Sequence, residues 1–439
     1  MTDIRQEAYK IINKVFSKNL FSNHLLHQVM DRNAFSKRDH DFLSHLVKGV
    51  IKMKGNLDYI ISCFVDEDKY ENTPLKIRIL LYLGLYQLRY CDFIPAHAAV
   101  HETVELAKRI FNDAIGAFVN AVLRAYLRSP GVDFPSVEPS RLAVQYSFPI
   151  SLIEKWIEYW GVQDTEKLCN YFNQNPRLSI RVNRFATDRS KLIEYFQRRG
   201  IMIEPSKASE NIAITDQIHE VMQNVAFSEG YFSIQDAAAA LVVELLEPEQ
   251  NEAVLDMFAG PGGKTSYISE LMDNTGEVIA IDKIPAKIKK VKQNLDRLQI
   301  KNVKVLAMDA FKYGPRAAAF DRVLLDVPCS GWGVFQKKPE LRWQLNQDMS
   351  EILKLQKKAL KTGAAFVKRN GIMLYSTCTM NPEENQKQVE EFLAHNKDFI
   401  LEDASRIIPA SFTDRGYLSV IPFKHHLDGT FAARMRKKG

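Results

Sequence analysis

Two cysteines follow apolar segments that are predicted to be neighbouring strands, and thiols in such places can act as nucleophiles. Cys329 comes shortly after Val323–Asp326, and Cys378 follows Gly371–Tyr375. In an open parallel sheet the carboxyl ends of the strands face one cleft, where ligands bind. A thiolate that adds to carbon 6 of a pyrimidine makes carbon 5 electron-rich enough to accept a methyl group. The pair therefore predicts covalent catalysis of methylation at an unactivated ring carbon.

The residues around the thiols are predicted to hold a base and to favour a thiolate. Asp326 ends the strand before the first thiol and is expected to hydrogen-bond N3 and the exocyclic amine of a cytosine. Beyond Cys378, the residues Asn381, Pro382 and Glu384 fit the N-cap, first helical residue and capping-box acid of a helix. The positive end of that helix would favour the thiolate. The residues alone leave open which thiol is the nucleophile and which assists proton loss or release of the adduct.

A glycine-rich loop between the first predicted strand of the sheet and its helix has the form of a nucleotide-binding turn. Glycines bring the backbone close to a ligand, and a helix N-terminus offers free N–H groups to an anion. A P-loop would need glycine at Phe258, and the fingerprint of a dehydrogenase would need glycine at Thr265, so both are disfavoured. The remaining interpretation is a turn that binds S-adenosylmethionine, with Asp282 on the ribose hydroxyls and Asp309 by the adenine amino group. The predicted cofactor-binding residues are Phe258, Ala259, Gly260, Pro261, Gly262, Gly263, Lys264, Asp282, Asp309 and Asp326.

These loops need a framework, and the hydropathy pattern divides the chain into three regions. Residues 1 to about 130 carry apolar side chains at helical spacing and predict an all-α bundle. A stretch with three prolines and one glycine follows, and short strands then alternate with a basic helix in a small α/β unit. From residue 230 onward, strand and helix alternate as in a parallel sheet covered on both faces. We therefore expect domains at 1–135, 136–229 and 230–439.

Composition sets the outer limits of the interpretation. The chain has 439 residues, of which 46% are apolar and 26% charged, so wholesale disorder is excluded. The net charge of +6 is compatible with a nucleic-acid partner. No apolar run reaches the ~20 residues of a membrane helix, and no signal segment opens the chain, so we expect no membrane and a reducing cytoplasm. The five cysteines contain no C-x-x-C pair, which predicts no disulfide framework and no metal site.

Basic residues form three groups that are candidates for RNA contact. The lysines between Lys283 and Lys304 read as a solvated helix face, whereas those near the first thiol lie beside aromatic residues, as in single-strand binding sites. The group near the first thiol, Cys329, contains Trp332, Lys337, Lys338, Arg342 and Trp343. The third group, in the small α/β unit, contains Arg177, Arg181, Arg184, Arg189, Arg198 and Arg199.

Three motifs resemble the signatures of the RNA cytosine-C5 methyltransferases. They are Ala259–Thr265, Asp326–Gly331, and Ser376–Thr379 followed by Asn381–Asn385. The resemblance implies that Cys378 is the nucleophile and that Cys329 aids release of the product. It also implies that the methyl donor is S-adenosylmethionine.

Two further segments, Ile94–Lys108 and Phe118–Arg124, are similar to the RNA-binding antitermination factor NusB. A NusB-like domain ahead of this catalytic region resembles the bacterial RsmB (Sun) family, which modifies a cytosine of 16S ribosomal RNA. The resemblance implies an all-α NusB-like domain, a small α/β (RRM-like) RNA-binding subdomain and a Rossmann-like class I methyltransferase domain.

The expected partner is 16S ribosomal RNA, bound by a monomer in a single-stranded or loop region from which the cytosine is flipped. The alternative is a non-catalytic RNA-binding factor for ribosome assembly or antitermination. The intact Cys329, Cys378, Asp326 and glycine loop argue against that alternative.

Overall fold

A computed structural model describes residues 3–32, 35–314, 318–344 and 349–439. The chain divides into two compact units. The helical unit contains Met1–Gln174 and Phe335–Asn346, and the sheet unit contains Asn175–Val334 and Gln347–Gly439. The segment 335–344 thus belongs to the helical unit, although the residues before it belong to the sheet unit.

The helical unit is a bundle in which each amphipathic helix buries its apolar face. In the first helix Ala8, Ile11, Ile12 and Val15 are buried at helical spacing, and the Asp3 carboxylate caps the N-terminus. The prediction of an all-α first region is confirmed, and no described helix is long and apolar enough to cross a membrane. The helices are α1 (Ile4–Lys18), α2 (Ser22–Arg32), α3 (Lys37–Ser62), α4 (Glu67–Glu71), α5 (Leu75–Tyr90), α6 (Ala96–Ile110), α7 (Asp113–Arg128), α8 (Ser140–Tyr146) and α9 (Ile150–Asn173).

Two candidates for RNA contact in the segment 335–344, Arg342 and Trp343, make hydrogen bonds within the helical unit. Arg342 is fully buried, and its guanidinium donates to the carbonyl oxygen of Phe172 at 2.9 Å. The indole N–H of Trp343 donates to the carbonyl oxygen of Ile51 at 2.7 Å. The donors of both side chains are therefore used within the bundle, and the buried Arg342 cannot serve as an RNA contact.

The sheet unit begins with a small antiparallel sheet. Its elements are β1 (Leu178–Val182), α10 (Arg189–Gln197), β2 (Glu204–Pro205), β3 (Ile212–Thr215), α11 (Ile218–Met222), α12 (Val225–Ser228) and β4 (Phe232–Ile234). The strand order is β2-β3-β1-β4. Ile180 and Val182 of β1 join Leu192 and Phe196 of α10 in one buried cluster. The predicted small α/β unit is therefore present.

A larger sheet fills the rest of this unit. Its elements are α13 (Ala237–Leu246), β5 (Ala253–Asp256), α14 (Gly263–Leu271), β6 (Glu277–Asp282), α15 (Pro285–Arg297), β7 (Val303–Ala307), β8 (Phe320–Asp326), α16 (Met349–Phe366), β9 (Val367–Thr377), α17 (Gln386–His395), β10 (Phe399–Glu402), β11 (Thr413–Asp414), β12 (Tyr417–Val420), α18 (Pro422–His425) and β13 (Thr430–Lys437). Five of these strands, β5 to β9, match the five predicted from sequence.

The large sheet is mixed rather than parallel throughout. Its order is β11-β12-β13-β9-β8-β5-β6-β7, with β10 paired to β13. Strands β5 to β9 are parallel, as predicted, but β13 runs antiparallel to β9. The reason is that the chain returns after α18 and adds β13 along the free edge of β9, which needs no crossover helix.

Candidate active site

Strands β8 and β9 are parallel neighbours, and each delivers a cysteine just beyond its carboxyl end. Their pairing sets Asp326 opposite Ser376, so the two strands end level with each other. The sulfur atoms of Cys329 and Cys378 lie 3.1 Å apart, and both side chains are half-buried. The structure thus brings together the two thiols that the sequence predicted to share a site.

The Cys329 thiol holds its proton more strongly than an ordinary cysteine does. The hydrogen bond with Cys378 raises the pKa of Cys329 well above its ordinary value, and burial and the negative charge of Glu384 raise it further. Cys329 therefore remains a thiol at neutral pH. As a thiol it can donate its proton toward the sulfur of Cys378.

A lysine of the glycine loop supplies positive charge beside the thiols. The Nζ atom of Lys264 lies 2.7 Å from one carboxylate oxygen of Asp326, whose other oxygen accepts from the hydroxyl of Ser376 at 3.0 Å. Burial alone would lower the pKa of Lys264, but the charges of Asp326 and Cys378 outweigh it and the pKa is raised. Lys264 therefore stays an ammonium and favours negative charge on both neighbours.

The helix end that the sequence predicted beside Cys378 lies elsewhere. It was expected at Asn381, but α17 begins at Gln386. The side-chain oxygen of Asn381 accepts from the N–H of Glu383 at 3.2 Å and closes a turn instead. The predicted helix start at Asn381 is therefore wrong, and the positive charge near Cys378 comes from Lys264.

Glu384, predicted as a capping-box acid, is a fully buried carboxylate that holds both thiol loops. One oxygen accepts from the N–H of Ser330 at 2.8 Å and from the amide of Gln356 at 3.1 Å. The other accepts from the hydroxyl of Ser330 at 2.5 Å and from the amide of Asn381 at 3.0 Å. This role cannot be predicted from the local sequence, because a capping pattern gives no sign of a partner 54 residues away.

The glycine loop after β5 turns tightly against β6 and α15. The N–H of Ala259 donates to the carbonyl oxygen of Ile281 at 2.9 Å. Gly262 has a φ of +103°, and a Cβ added there would lie 3.1 Å from the backbone of Val291. Both the left-handed backbone and the close approach require glycine at this position.

Asp282 ends β6 and closes on the glycine loop. One carboxylate oxygen accepts from the N–H of Gly260 at 3.1 Å and lies 3.6 Å from the Nζ of Lys287. The other accepts from the N–H of Ile284 at 2.9 Å. Each oxygen retains a second lone pair, so the carboxylate can also accept from ribose hydroxyls.

The next strand end offers an acid and an aromatic wall. Asp309 follows β7, and its carboxylate accepts from the N–H of Phe311 at 3.0 Å. The half-buried ring of Phe258 packs edge-to-face on that of Phe311, with centroids 6.1 Å apart. This surface fits an adenine ring with a hydrogen-bond acceptor at its edge. The structure thus places the predicted cofactor and catalytic residues at the carboxyl ends of β5 to β9.

Arg181 of β1 lies beneath the glycine loop. Its guanidinium donates to the carbonyl oxygen of Gly263 at 2.8 Å, to the hydroxyl of Ser266 at 2.9 Å and to the carboxylate of Glu270 at 2.6 Å. It is fully buried, so its predicted contact with RNA is wrong.

Within the described ranges, no three His, Cys, Asp or Glu side chains gather as a metal site.

Three parts of the chain match known families. Residues 243–436 match the family described as 16S rRNA methyltransferase RsmB/F. Residues 2–128 match the NusB family, and residues 148–220 match the ferredoxin-like domain of RsmF/B-like methyltransferases.

Full-length relatives agree with these matches. The chain is 34% identical to the probable ribosomal RNA small subunit methyltransferase B of Synechocystis sp., over 100% of both chains. It is 32% identical to the ribosomal RNA small subunit methyltransferase B of Vibrio cholerae, over 91% of this chain and 90% of that one. The crystal structure of PH0851 has a TM-score of 0.85 and 26% identity, and each chain is covered completely. A catalytic sheet with paired thiols, preceded by a NusB-like helical region and a small α/β region, thus places the chain in the ribosomal RNA small subunit methyltransferase B (RsmB/Sun) family.

Proposed function

We propose that this chain methylates carbon 5 of a cytosine in 16S ribosomal RNA through a covalent adduct between a cysteine and carbon 6. The observation that carries the proposal is the pair of thiols 3.1 Å apart at the ends of β8 and β9. A single thiol would suffice to attack the ring. A second thiol at this distance suits an enzyme that must also release the methylated base from the covalent adduct. Membership of the family supports ribosomal RNA of the small subunit as the substrate.

The glycine loop fits S-adenosylmethionine, which when bound supplies an electrophilic methyl group. The free N–H groups at the start of α14 suit its carboxylate, and Asp282 suits its ribose. Phe258 and Asp309 suit the face and the amino group of its adenine. The loop residues Ala259, Gly260, Pro261, Gly262, Gly263 and Lys264 complete the proposed site.

Three side chains act on the cytosine in this proposal. The Cys378 thiolate forms a bond from its sulfur to carbon 6, and the electron pair of the 5,6 double bond moves to carbon 5. Asp326, held by Lys264 and Ser376, accepts from the exocyclic amine and keeps the ring in place. After methylation, a water molecule takes the carbon 5 proton, the electron pair of that C–H bond re-forms the 5,6 double bond, and the carbon 6–sulfur bond breaks with its electrons returning to Cys378 as a thiolate. Cys329 assists this release.

The base must leave its stack to reach the thiols, so the substrate is a single-stranded or loop region with a flipped cytosine. Helix α15 packs against the glycine loop. The exposed lysines on this helix and just before it suit contacts with phosphates. They are Lys283, Lys287, Lys289, Lys290 and Lys292.

The chain is proposed to act as a cytoplasmic monomer. Its domains are proposed as a NusB-like RNA-binding domain at 1–135, an RNA-binding subdomain at 136–229 and a catalytic domain at 230–439.

The proposal is tested by incubating the protein with labelled S-adenosylmethionine and unmodified 16S RNA and mapping the labelled base. We expect label on carbon 5 of one cytosine, and none with Cys378→Ser. Cys169→Ser, at a buried cysteine of the helical unit, is the matched control and should retain activity. Label on another atom, or full activity of Cys378→Ser, would contradict the mechanism. RNA binding without any labelling would favour a non-catalytic assembly factor.

A further inference from the structure

The N-terminus of α14 combines uncapped N–H groups with a buried side-chain donor. The helix is nine residues long and begins at Gly263, and its N-cap residue, Gly262, has no side chain to accept from the first turn. Gln235 is only 6% exposed, and its Nε2 atom has no hydrogen-bond partner among the described residues. That nitrogen lies 3.9 Å from where a Cβ on Gly263 would stand. The helix end and the side chain therefore offer donors to the same space.

The orientation of the Gln235 amide is fixed by its neighbour. Its Oε1 accepts from Nη1 of Arg181. A guanidinium carries only donors, so the amide atom that faces it must be the oxygen. The Nε2 atom is then forced to the other side, toward Gly263.

Arg181 is itself held rigidly. It donates to Gly263, Ser266 and Glu270, and its guanidinium lies 4.6 Å from the ring centre of Tyr267. Glu270 is also fully buried, so the two charges compensate each other. The Gln235 amide thus cannot rotate without breaking a buried hydrogen bond to a fixed group.

A buried donor without a partner, next to a free helix N-terminus, calls for a negatively charged acceptor. S-adenosylmethionine carries one anionic group, the carboxylate of its methionine part. We propose that Gln235 donates a hydrogen bond from Nε2 to this carboxylate at the start of α14. Arg181 is then a positioning residue that aims the amide, and β1 of the small sheet contributes to the cofactor site. This inference rests on the proposed cofactor.

The test compares two ligands that differ in the proposed contact. S-adenosylhomocysteine carries the carboxylate, and 5′-methylthioadenosine lacks the whole amino-acid portion that bears it. Their dissociation constants are measured by calorimetry for the full chain and for two variants. Gln235→Glu keeps the acceptor for Arg181 but replaces the donor with a carboxylate oxygen. Gln235→Leu removes the donor without adding charge.

We expect both variants to bind S-adenosylhomocysteine about tenfold more weakly or worse, as for the loss of a hydrogen bond to a charged group. Binding of 5′-methylthioadenosine should stay within about twofold of the unmodified protein. The matched control is Gln197→Glu, an exposed position at the end of α10, and it should change neither constant.

Failure of the inference and failure of the proposed cofactor are distinguishable. If the unmodified chain binds S-adenosylhomocysteine and the Gln235 variants bind it equally well, the inference is overturned while the cofactor stands. If the variants lose affinity equally for both ligands, Gln235 supports the fold of the loop rather than the carboxylate, which also overturns it. If the unmodified chain binds neither ligand, the proposed cofactor fails first. Thermal unfolding of each variant confirms that the protein measured is folded.

Discussion

Two loops at the carboxyl edge of the large sheet are held by buried ions of opposite charge. Arg181 lies beneath the glycine loop and takes up the carbonyl oxygen of Gly263. Glu384 lies beneath the thiol loops and accepts hydrogen bonds from the N–H and the hydroxyl of Ser330. Both ions are fully buried. A cation that accepts no hydrogen bond and binds a carbonyl oxygen leaves the N–H groups of its loop free for a ligand. An anion instead accepts hydrogen bonds from N–H groups of its loop, and those groups are no longer available to a ligand.

The sign of the buried ion therefore determines what each loop can still bind. The glycine loop keeps N–H groups for an anion at the start of α14. In the thiol loops, Ser330 is occupied, and the Cys329 thiol remains beside Cys378 as a donor. Substitution of Arg181 should therefore alter cofactor binding, and substitution of Glu384 should alter methyl transfer.

The largest effect is expected for Cys329→Ser, which removes the thiol proposed to assist release. Turnover should fall by about a thousandfold or more, with a covalent RNA–protein adduct accumulating, because Cys378 can still attack. The adduct is measured as an RNA-dependent shift on a denaturing gel. S-adenosylhomocysteine should bind as before, since the glycine loop is untouched. The double variant Cys329→Ser/Cys378→Ser is the control and should form no adduct; an adduct in that protein would contradict the assignment of the nucleophile.

Glu384→Gln should reduce kcat by about tenfold to a hundredfold and leave KM for S-adenosylmethionine within about twofold, since charge-assisted bonds to the thiol loops are lost. Its pH profile gives a second readout. The negative charge of Glu384 raises the pKa of Cys329, so removing it should lower that pKa and move the alkaline loss of activity to lower pH. A variant that lost stability without this shift in pH profile would show that Glu384 has only a structural role. Glu383→Gln, at the neighbouring less buried acid, is the matched control.

Arg181→Lys should give the opposite kinetic pattern with a smaller effect. Lysine preserves the charge opposite Glu270 but cannot also reach Gly263 and Gln235, because it lacks the planar fork of donors. KM for S-adenosylmethionine should rise about fivefold, and kcat should change by less than about twofold. Steady-state kinetics with saturating RNA measures both constants. Arg189→Lys, on the nearby α10, is the control; a fall in kcat alone for Arg181→Lys would break the proposed separation.

The sequence predicted the framework and the site better than it predicted how the site is supported. Strands β5 to β9 could be located because each is a short apolar run that ends in a polar or glycine-containing loop, and these are local patterns. The role of Arg181 could not be found in the same way. Its partner Gly263 lies 82 residues away, and an arginine that pairs with a buried acid looks in sequence like one that faces solvent.

Two other errors have the same physical origin. Arg342 and Trp343 stand in a basic, aromatic segment typical of RNA contact, yet their donors are satisfied by carbonyl oxygens within the helical unit. Asn381 has the residue type of an N-cap, but its neighbour Glu384 is drawn to Ser330 on the other thiol loop and the helix starts later. Long-range partners for polar side chains outweigh local preference in each case.

A last effect, on stability rather than on catalysis, concerns Asp256, the buried acid at the base of the glycine loop, which has fewer hydrogen-bond donors around it than Glu384 has. It accepts from the Thr265 hydroxyl at 2.7 Å and from the N–H of Phe258 at 3.4 Å. Burial raises the pKa of Asp256 to about 7, so the folded protein keeps a proton that the unfolded chain releases above its ordinary value of 3.8. The stability due to this proton is complete below about pH 4, declines as the pH rises and is lost above about pH 7. Asp256→Asn carries no such proton, so between pH 4 and pH 8 its free energy of unfolding should gain about 4 kcal/mol relative to that of the unmodified protein. Urea unfolding across this range measures the difference, and a difference that stays constant with pH would mean that Asp256 is as well stabilised in its ionised form as an acid with a full set of donors.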